Sequence, residues 1–245
     1  PRLGERGALS SLVLPAYGGE RAGEPPLKGS QETRAARAES TAGFHGLRAQ
    51  VDAQAEGDGW RLTGQDVRPQ IHGADAACFG VVSAVNGAPA LFAVPGNADG
   101  LKRGDAFLKT GLNACRNADL SLQVTLDAAH CVFQGEPAYR ELLGWTYLGC
   151  AATASGTGLA AWAILDDWAD SRVIKGKGQR FKDNPLVASL LGDLGGQLAT
   201  SRLLVYSLAR LLDTGDARSE AAFATATAVT RTVLRDTMDT LDRGM

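Results

Sequence analysis

The sequence predicts an α+β fold in which a small antiparallel β-domain is followed by an antiparallel helical bundle. Apolar and polar residues alternate between about residues 47 and 130, tight-turn dipeptides separate the alternating runs, and beyond Pro137 apolar residues recur every three to four positions. The chain has 245 residues, 44% of them hydrophobic, which is enough to bury a substantial core. We expect a less regular segment over residues 1–45, a β-domain over 46–134 and a helical domain over 135–245.

Composition argues against several classes of function. The formal net charge of −2 gives no electrostatic footprint for nucleic acid or for an anionic membrane surface. Four cysteines and three histidines show no metal-ligand spacing, so we expect free thiols and no metal site. No signal peptide opens the chain, and no run of about 18 apolar residues indicates a membrane span. The expectation is therefore a soluble, cytoplasmic protein.

The first 45 residues have the weakest periodic signal. An apolar run over residues 8–14 ends at Pro15 and is followed by the turn signal Tyr17-Gly18-Gly19. The prolines and glycines over 23–30 predict a linker, because proline cannot continue a helix. The charged residues over 31–40 are compatible with a short surface helix.

Two hairpins and a further strand are expected in the β-domain. Gly57-Asp58-Gly59 predicts a tight turn in the first hairpin, and Asn86-Gly87 is a strong hairpin dipeptide for the second. The strands are expected over 47–54, from Trp60 onward, and over 76–85, 88–94 and 120–126.

Three helices are expected in the helical domain. The first runs from about 139 to 172 without proline, and it contains Gly144, Gly149, Gly156 and Gly158. Each glycine costs a helix about 1 kcal/mol relative to alanine, so the close approach of another helix or of a ligand is expected there. Asn184-Pro185 predicts the capped start of a second helix. The apolar stripe of that helix comprises Val187, Leu190, Leu191, Leu194, Leu198, Val205, Leu208 and Leu212, and a third helix is expected from about 218 to 243.

This order of parts resembles the acyl-CoA dehydrogenase superfamily, and several short stretches carry the resemblance. Residues 3–19 resemble the family's early helix-then-turn segment, and 46–64 resemble its first β-hairpin. Residues 111–115 resemble the end of the β-domain. Ser171-Arg172 and Gly176-Lys177 resemble a loop between bundle helices, and 184–213 resemble the second bundle helix. Each motif is weak by itself, but their order together is fairly specific.

The resemblance implies FAD as cofactor, an acyl-CoA thioester as substrate, and a homo- or hetero-oligomer, either a dimer or a tetramer. In the family a carboxylate removes a proton from the acyl group while the flavin accepts a hydride. The resemblance also implies a shortened, degenerate member, with residues 1–45 as the remnant of an N-terminal helical domain and linker and with the C-terminal end lacking. No catalytic glutamate is found, because the position that some relatives use falls on Thr146, and Glu141 lies more than a helical turn away.

The flavin-binding stretches of the family are altered here. In the first, over 38–45, alanine and phenylalanine replace two hydroxyl residues, which leaves Ser40 and Thr41 as candidate flavin ligands. The second corresponds to 69–73, where Pro69 replaces an aromatic residue and Ile71 replaces a threonine. Ile71 and His72 are the cofactor-binding candidates in this second stretch, although the alternative for His72 is a loop histidine without a partner.

Arg172 and Gly176 are the remaining cofactor candidates. In the family this arginine meets the FAD pyrophosphate, which a guanidinium suits, whereas the alternative is a solvated arginine at a helix end. Thr146 stands at a wall position of the acyl pocket, and the alternative is ordinary helix packing. Trp145, Trp162 and Trp168 are expected in the core.

Three functions follow from the resemblance. The first is a flavoprotein oxidoreductase, intact or impaired, that acts on the CH–CH group of an acyl-CoA and belongs to fatty acid metabolism. The second is a non-catalytic partner or scaffold subunit of an acyl-CoA dehydrogenase complex. The third is a flavin-dependent monooxygenase of the same fold.

Overall fold

The computed structural model of the protein describes residues 10–15 and 49–244. The chain divides into two compact units, Pro1–Tyr139, which we call the β-unit, and Arg140–Met245, which we call the helical unit. The predicted α+β fold is confirmed, since the β-unit holds two four-stranded sheets and long helices follow them. The surface helix expected over 31–40 lies outside the described residues.

Both sheets of the β-unit are built from neighbouring antiparallel strands, with one exception. The strands are β1 (Ser10–Val13), β2 (Asp52–Glu56), β3 (Gly59–Val67), β4 (Cys78–Val85), β5 (Ala88–Pro95), β6 (Leu101–Arg103), β7 (Leu120–Asp127) and β8 (Cys131–Gln134). One sheet has the order β1-β4-β5-β8 and the other β2-β3-β7-β6. Only β1 with β4 is a parallel pair among these strands.

The two predicted hairpins are present. Glu56 pairs with Gly59 across the first turn, where Gly57 has a φ of 58°. In the second hairpin, Asn86 and Gly87 have φ values of 52° and 78°, the left-handed pair that a type I′ turn requires. Pairing in the first hairpin begins at Asp52, later than the alternation from residue 47 suggested.

One hydrophobic core lies between the two sheets. Phe79 and Phe92 come from one sheet and Leu62 and Leu122 from the other, and all four are fully buried. The rings of Trp60 and Phe92 meet edge-on, with centroids 5.3 Å apart. The alternation predicted for β7 is therefore explained, because every second residue of that strand points into this core.

The segment expected to be helical before Pro15 contains a strand instead. Ser10–Val13 forms β1, in register with Cys78–Val81. Its alternation of buried and half-exposed residues suits a sheet edge, and Val13 is fully buried in the β-unit core. The helical expectation came from the family resemblance and was wrong for these residues, because they pair with an edge that a distant strand supplies. A run of four residues is also too short to separate helix from strand by periodicity.

Three helices follow the sheets. They are α1 (Glu136–Ser171), α2 (Pro185–Thr214) and α3 (Glu220–Gly244). A Cβ placed on Gly144 would lie 3.1 Å from Leu212, and one on Gly158 would lie 2.6 Å from Leu198, so α1 and α2 run antiparallel. These two glycines confirm the expected close approach of a neighbouring helix. A Cβ placed on Gly149 or Gly156 would meet nothing within 4 Å, so no helix approaches closely at these two positions.

Hydroxyl groups of α3 fix its position along α1. Thr230 donates a hydrogen bond to the Tyr147 carbonyl at 3.1 Å, and Thr237 donates one to the Ala154 carbonyl at 3.0 Å. From the first hydrogen bond to the second, the donor on α3 and the acceptor on α1 each move about two helical turns toward the C-terminus, so α3 runs parallel to α1.

A buried carboxylate links α3 to α2. Asp236 accepts a hydrogen bond of 2.7 Å from the Ser201 hydroxyl, which is fully buried, and two from the neighbouring Arg235 guanidinium. The buried charge is thereby both paired and hydrogen-bonded, as a carboxylate in this setting requires.

Two of the three tryptophans expected in the core are exposed. Trp145 and Trp168 have 42% and 45% of their surface exposed. Trp162 is half-buried, and its indole N–H donates to the Leu191 carbonyl at 2.9 Å. The core expectation was wrong for the first two, because α1 is covered by neighbouring helices on part of its circumference only.

Among the described residues, α1 alone is long and apolar enough to span a membrane. Its most apolar 18-residue window has a mean hydropathy of 1.4, and 22% of that window is buried. Core helices of globular proteins meet the same criterion, so this feature alone does not assign α1 to a membrane.

The start of α2 provides a test of the cap predicted from Asn184-Pro185. The Asn184 side chain accepts a hydrogen bond from the Leu186 N–H at 3.0 Å, and Pro185 occupies the first helical position. We expect Asn184→Ala to destabilise the helical unit by about 1 kcal/mol, because one N–H of the first turn loses its partner. Urea denaturation followed by circular dichroism measures the loss, and Asn184→Asp, which keeps the acceptor, is the control. An unchanged midpoint for the alanine variant would contradict the capping role.

Candidate functional site

The loop that contains Ile71 and His72 is held rigidly in the β-unit. The Asn117 side chain accepts a hydrogen bond of 3.0 Å from the Gly73 N–H and donates one of 3.1 Å to the Pro69 carbonyl. From the other side, the Ser11 hydroxyl donates to the Ile71 carbonyl. The loop over 69–73 is therefore held between β1 and Asn117 of the β6–β7 loop.

Charged side chains reinforce this clamp. The Arg68 guanidinium forms an ion pair with Asp119 at 2.7 Å, and Arg116 forms one with Asp75 at 3.0 Å. Arg68 also lies over the Phe107 ring, 5.0 Å from its centroid. Hydrogen bonding to the Asp119 carboxylate raises the pKa of Arg68, so this guanidinium stays charged.

The two candidate residues of this loop offer different groups. The Ile71 side chain is apolar and 41% exposed, so it presents a surface but no hydrogen-bond donor. His72 adopts a left-handed backbone with a φ of 54°, and its ring Nδ1 is buried with no hydrogen-bond partner. A buried polar atom without a partner has a cost, so this nitrogen has an unused hydrogen-bonding capacity.

Ser40 and Thr41, the candidates of the first flavin stretch, lie outside the described residues. Their assignment stays a prediction.

A short hairpin carries Arg172 and Gly176. Val173 and Arg180 form an antiparallel bridge, and the Ile174 N–H donates to the Gln179 carbonyl at 2.8 Å. Gly176 and Gly178 have φ values of 82° and 64°, and a Cβ on either would meet nothing within 4 Å. Glycine is needed at this tip for its left-handed backbone, and the tip is open to solvent.

The basic residues of this hairpin divide into two groups. Arg180 pairs with Asp170 at 2.8 Å and with Asp183 at 3.0 Å, and its hydrogen bond lowers the pKa of the Asp183 carboxyl. Lys182 likewise pairs with Asp166 at 2.7 Å. The second group, Arg172, Lys175 and Lys177, has no acidic partner within ion-pair distance among the described residues. We call these three residues the cationic tip.

The Arg172 side chain is oriented by an aromatic ring. Its guanidinium lies over the Trp168 ring, 5.1 Å from the centroid, and its hydrogen-bond donors remain available. Trp168 itself is fixed by Phe181, whose ring meets it edge-on at 5.1 Å. Neither sequence alternative for Arg172 included this stacking, since no periodic signal marks a contact between a helix end and the loop after it.

Thr146 and Glu141 are both engaged in local contacts. The Thr146 hydroxyl donates to the Leu142 carbonyl of its own helix at 2.8 Å, a common use of threonine inside helices. Glu141 forms an ion pair of 2.7 Å with Arg218 and raises the pKa of that arginine. Within the described residues, no group of three or more His, Cys, Asp or Glu side chains is arranged to hold a metal ion.

The cationic tip suits a part of FAD better than the loop over 69–73 does. The cationic tip offers unpaired cations around an open, glycine-containing turn, which suits phosphate oxygens. The loop over 69–73 offers the orphaned ring nitrogen of His72, but Pro69 and Ile71 supply neither a stacking ring nor a hydroxyl for a flavin. Considered separately, the cationic tip therefore suits a phosphate group, and the loop over 69–73 suits a flavin ring only in part.

Sequence reasoning missed Asn117, which holds the loop over 69–73 in place. It is buried, and its amide satisfies two backbone groups more than forty positions earlier in the chain. A single asparagine in an irregular segment has no sequence signal for such a long-range role. The same holds for Arg116, Arg68 and their carboxylate partners.

Comparison with solved structures places this fold. An FAD-dependent dehydrogenase superposes with a TM-score of 0.73 at 17% identity, over 100% of this chain and 61% of its own. A glutaryl-CoA dehydrogenase from Mycobacterium smegmatis in complex with FADH2 superposes with a TM-score of 0.68 at 20% identity, over 100% and 58%. Butyryl-CoA dehydrogenase from Megasphaera elsdenii superposes with a TM-score of 0.66 at 19% identity, over 96% and 63%.

These likenesses are structural only. No family model matches the sequence, and no curated protein matches it. The chain spans about three fifths of the length of the solved structures to which it is similar. The resemblance to the acyl-CoA dehydrogenase superfamily is thus confirmed at the level of the fold, and the chain has the flavoprotein dehydrogenase fold of that superfamily's middle β-domain and C-terminal helical bundle.

Proposed function

We propose that this chain is part of an FAD-dependent oxidoreductase that acts on the CH–CH group of an acyl-CoA thioester. The single observation that carries the proposal is the fold, shared over nearly the whole chain with acyl-CoA dehydrogenases and an FAD-dependent dehydrogenase. The proposal includes a cytoplasmic location, a place in fatty acid metabolism, and assembly into an oligomer.

In this proposal the cationic tip holds the phosphates of FAD. Arg172 is the principal ligand, because its guanidinium is oriented by Trp168 while its donors stay available. Gly176 lets the backbone approach an anion closely, since its left-handed turn carries no side chain. Taken by itself, the β-unit offers a flavin ring the Nδ1 of His72 and the apolar surface of Ile71, with Ser40 and Thr41 as further ligands. Thr146 faces the acyl group.

A bound flavin supplies a hydride acceptor, and the chain's own residues would position it and exclude water. The proton abstraction that accompanies hydride transfer needs a carboxylate of raised pKa. Among the described residues, Glu141 does not meet this requirement, because its carboxylate is committed to Arg218. The base is therefore assigned to none of them.

The phosphate part of the proposal is tested by replacing Arg172. We expect Arg172→Ala to weaken FAD binding by about 10- to 100-fold, because a charge-assisted hydrogen bond contributes roughly 1.5–3 kcal/mol. Fluorescence titration of the full chain with FAD, and competition by ADP, measures the change. Arg231→Ala removes an exposed cation from α3 and is the matched control, with affinity expected within twofold. Equal affinities for the two variants would contradict the assignment.

The catalytic part is tested by flavin reduction. If the protein carries out acyl-CoA dehydrogenation, the flavin absorption of the purified chain bleaches under anaerobic conditions when acyl-CoA is added. Bleaching that needs a different reductant and then consumes oxygen would favour the monooxygenase instead.

A second candidate function is a non-catalytic partner subunit of an acyl-CoA dehydrogenase complex. It is favoured by one observation: Pro69 and Ile71 offer a flavin ring neither stacking nor a hydroxyl, in a loop that hydrogen bonds already hold closed. Colourless protein that takes up no FAD on titration would support this candidate and contradict the first.

A further inference from the structure

Half of β7 has an edge without a neighbouring strand. On one side β7 pairs with β3 from Leu120 to Asp127. On the other side β6 pairs only with residues 120–122, and one further hydrogen bond of 2.9 Å joins the Gln123 N–H to the Gly100 carbonyl. Residues 124–127 therefore have no strand beside them on this side, within the part of the chain that the structure describes. We call this stretch the open edge.

The open edge presents free backbone groups. The N–H and C=O of a strand residue point to the same side, and this side alternates from one residue to the next. Since the Gln123 N–H points toward β6, the Thr125 N–H and C=O point to the open edge, where no described residue hydrogen-bonds to them. Val124 and Leu126 instead face β3 with their backbone groups. Free donors and acceptors in a row are a template for a further strand.

A cleft of about 550 Å³ lies along this edge. Thr125, Leu126 and Asp127 all line it, although their side chains alternate between the two faces of the sheet. The cleft therefore opens at the edge of β7 and not over one face. Pro95 and Asp99, from the end of β5 and the loop after it, line it as well. The four residues of the open edge span roughly 13 Å, which is the length of an extended segment of four residues.

The charge of the cleft indicates which kind of segment fits. The residues that line it include the carboxylates of Asp99 and Asp127 and neither lysine nor arginine. Both carboxylates are exposed, and neither has an ion-pair or hydrogen-bond partner among the described residues. Asp99 precedes Gly100 at one end of the open edge, and Asp127 lies at the other end. Beyond Asp127, the ring Nδ1 of His130 is buried without a partner, so this end also has unused hydrogen-bonding capacity.

We propose that the open edge of β7 binds an extended peptide segment of another protein, with lysine or arginine at alternate positions. The segment adds to the sheet in line with β6 and exchanges hydrogen bonds with the backbone of Thr125. Residues directly opposite one another on paired strands share a face, so a cation opposite Asp127 lies beside that carboxylate. A second cation two or four positions along is on the same face and reaches the end where Asp99 lies. The proposal goes beyond the flavin function, since none of the flavin candidates takes part in it.

The backbone pairing is tested with two labelled peptides and the full chain. The probe is fluorescein-labelled Arg-Val-Arg-Val-Arg, and its control is the same peptide N-methylated at the central arginine, which keeps the charge and removes one backbone donor. Fluorescence anisotropy titration is expected to show binding of the probe and a loss of about tenfold on N-methylation, because a strand hydrogen bond is lost and the methyl group keeps the strands apart. Equal affinities would show that charge alone attracts the peptide and would overturn the proposal. Absence of binding would overturn it too, and the two carboxylates would then only protect the edge from pairing.

Variants of the chain locate the binding at this edge. Thr125→Pro removes the N–H that faces the cleft and leaves the ladder with β3 intact, so we expect it to weaken binding of the probe about tenfold. The double variant Asp99→Asn/Asp127→Asn is expected to weaken binding about fivefold and to reduce its dependence on salt. Asp193→Asn removes an exposed carboxylate of the helical unit and is the matched control, with unchanged affinity. Circular dichroism verifies folding, and the double variant still tests the site if the proline variant does not fold. Wild-type affinity in the double variant would overturn the assignment of a basic segment to this cleft.

Discussion

Replacing Gly73 by alanine is expected to destabilise the β-unit by about 3 kcal/mol and to displace the loop over 69–73. A Cβ at this position would lie 2.2 Å from the Ala118 carbonyl oxygen and 2.7 Å from the Asn117 side-chain oxygen. The first contact is with backbone, so a rotamer change cannot relieve it. Overpacking costs about 1–3 kcal/mol, and the hydrogen bond from the Gly73 N–H adds about 1 kcal/mol if it breaks.

Hydrogen exchange measured by mass spectrometry is the suitable readout, because it reports β4 and β5 separately from the helices. Gly111→Ala is the matched control: it lies in the β6–β7 loop, and a Cβ there would meet nothing within 4 Å. We expect its exchange to match the wild type. If Gly73→Ala also exchanged as the wild type does, the clamp formed by Asn117 would not be required for the stability of the β-unit.

The second large effect is expected at the crossing of the three helices. In Gly158→Leu, the Cβ would stand 2.6 Å from Leu198 and 3.2 Å from the Thr237 hydroxyl, and the leucine adds three further carbon atoms. The helices must separate to admit them, and the hydrogen bond from Thr237 to Ala154 is lost. We expect a loss of about 3 kcal/mol in the free energy of unfolding of the helical unit.

A neighbouring glycine provides the control for this change. Gly156 lies two positions earlier on α1, exposed and with nothing near its Cβ position. Gly156→Ala is expected to raise stability by up to about 1 kcal/mol, because alanine favours a helix. Urea denaturation followed at 222 nm compares the two variants. Equal shifts in the same direction would show that helix propensity, and not the crossing, controls the stability at both positions.

The periodic parts of the fold were predictable from the sequence. The Asn86-Gly87 turn and the alternation in β7 depend on local geometry. Asn184-Pro185 marks a helix start because the Asn184 side chain accepts a hydrogen bond from the backbone only two positions later in the chain. β1 was not predictable, because its conformation depends on an edge supplied by a distant strand. The exposure of Trp145 and Trp168 was missed for a related reason, since composition does not reveal which side of a helix remains uncovered.

The candidate site was predictable only where chemistry follows residue type. Arg172 was predicted as a phosphate ligand through the family resemblance, with a solvated arginine at a helix end as the alternative, and its stacking on Trp168 needed coordinates. His72 was expected as a cofactor ligand, with a loop histidine as the alternative, whereas its buried, unpartnered nitrogen depends on the surrounding packing. The role of Asn117 arises from two contacts that join distant parts of the chain.

The loop over 69–73 depends on β1, the edge strand of its sheet, for two of its hydrogen bonds. The register of β1 with β4 joins residues far apart along the chain, so this strand can dock only after a long stretch of polypeptide has closed on itself. Ser11 and Leu12 of this strand hold the loop through the Ile71 carbonyl and the Gln70 N–H. Detachment of this four-residue edge strand would therefore release two hydrogen bonds of a loop that lies about sixty positions later in the chain.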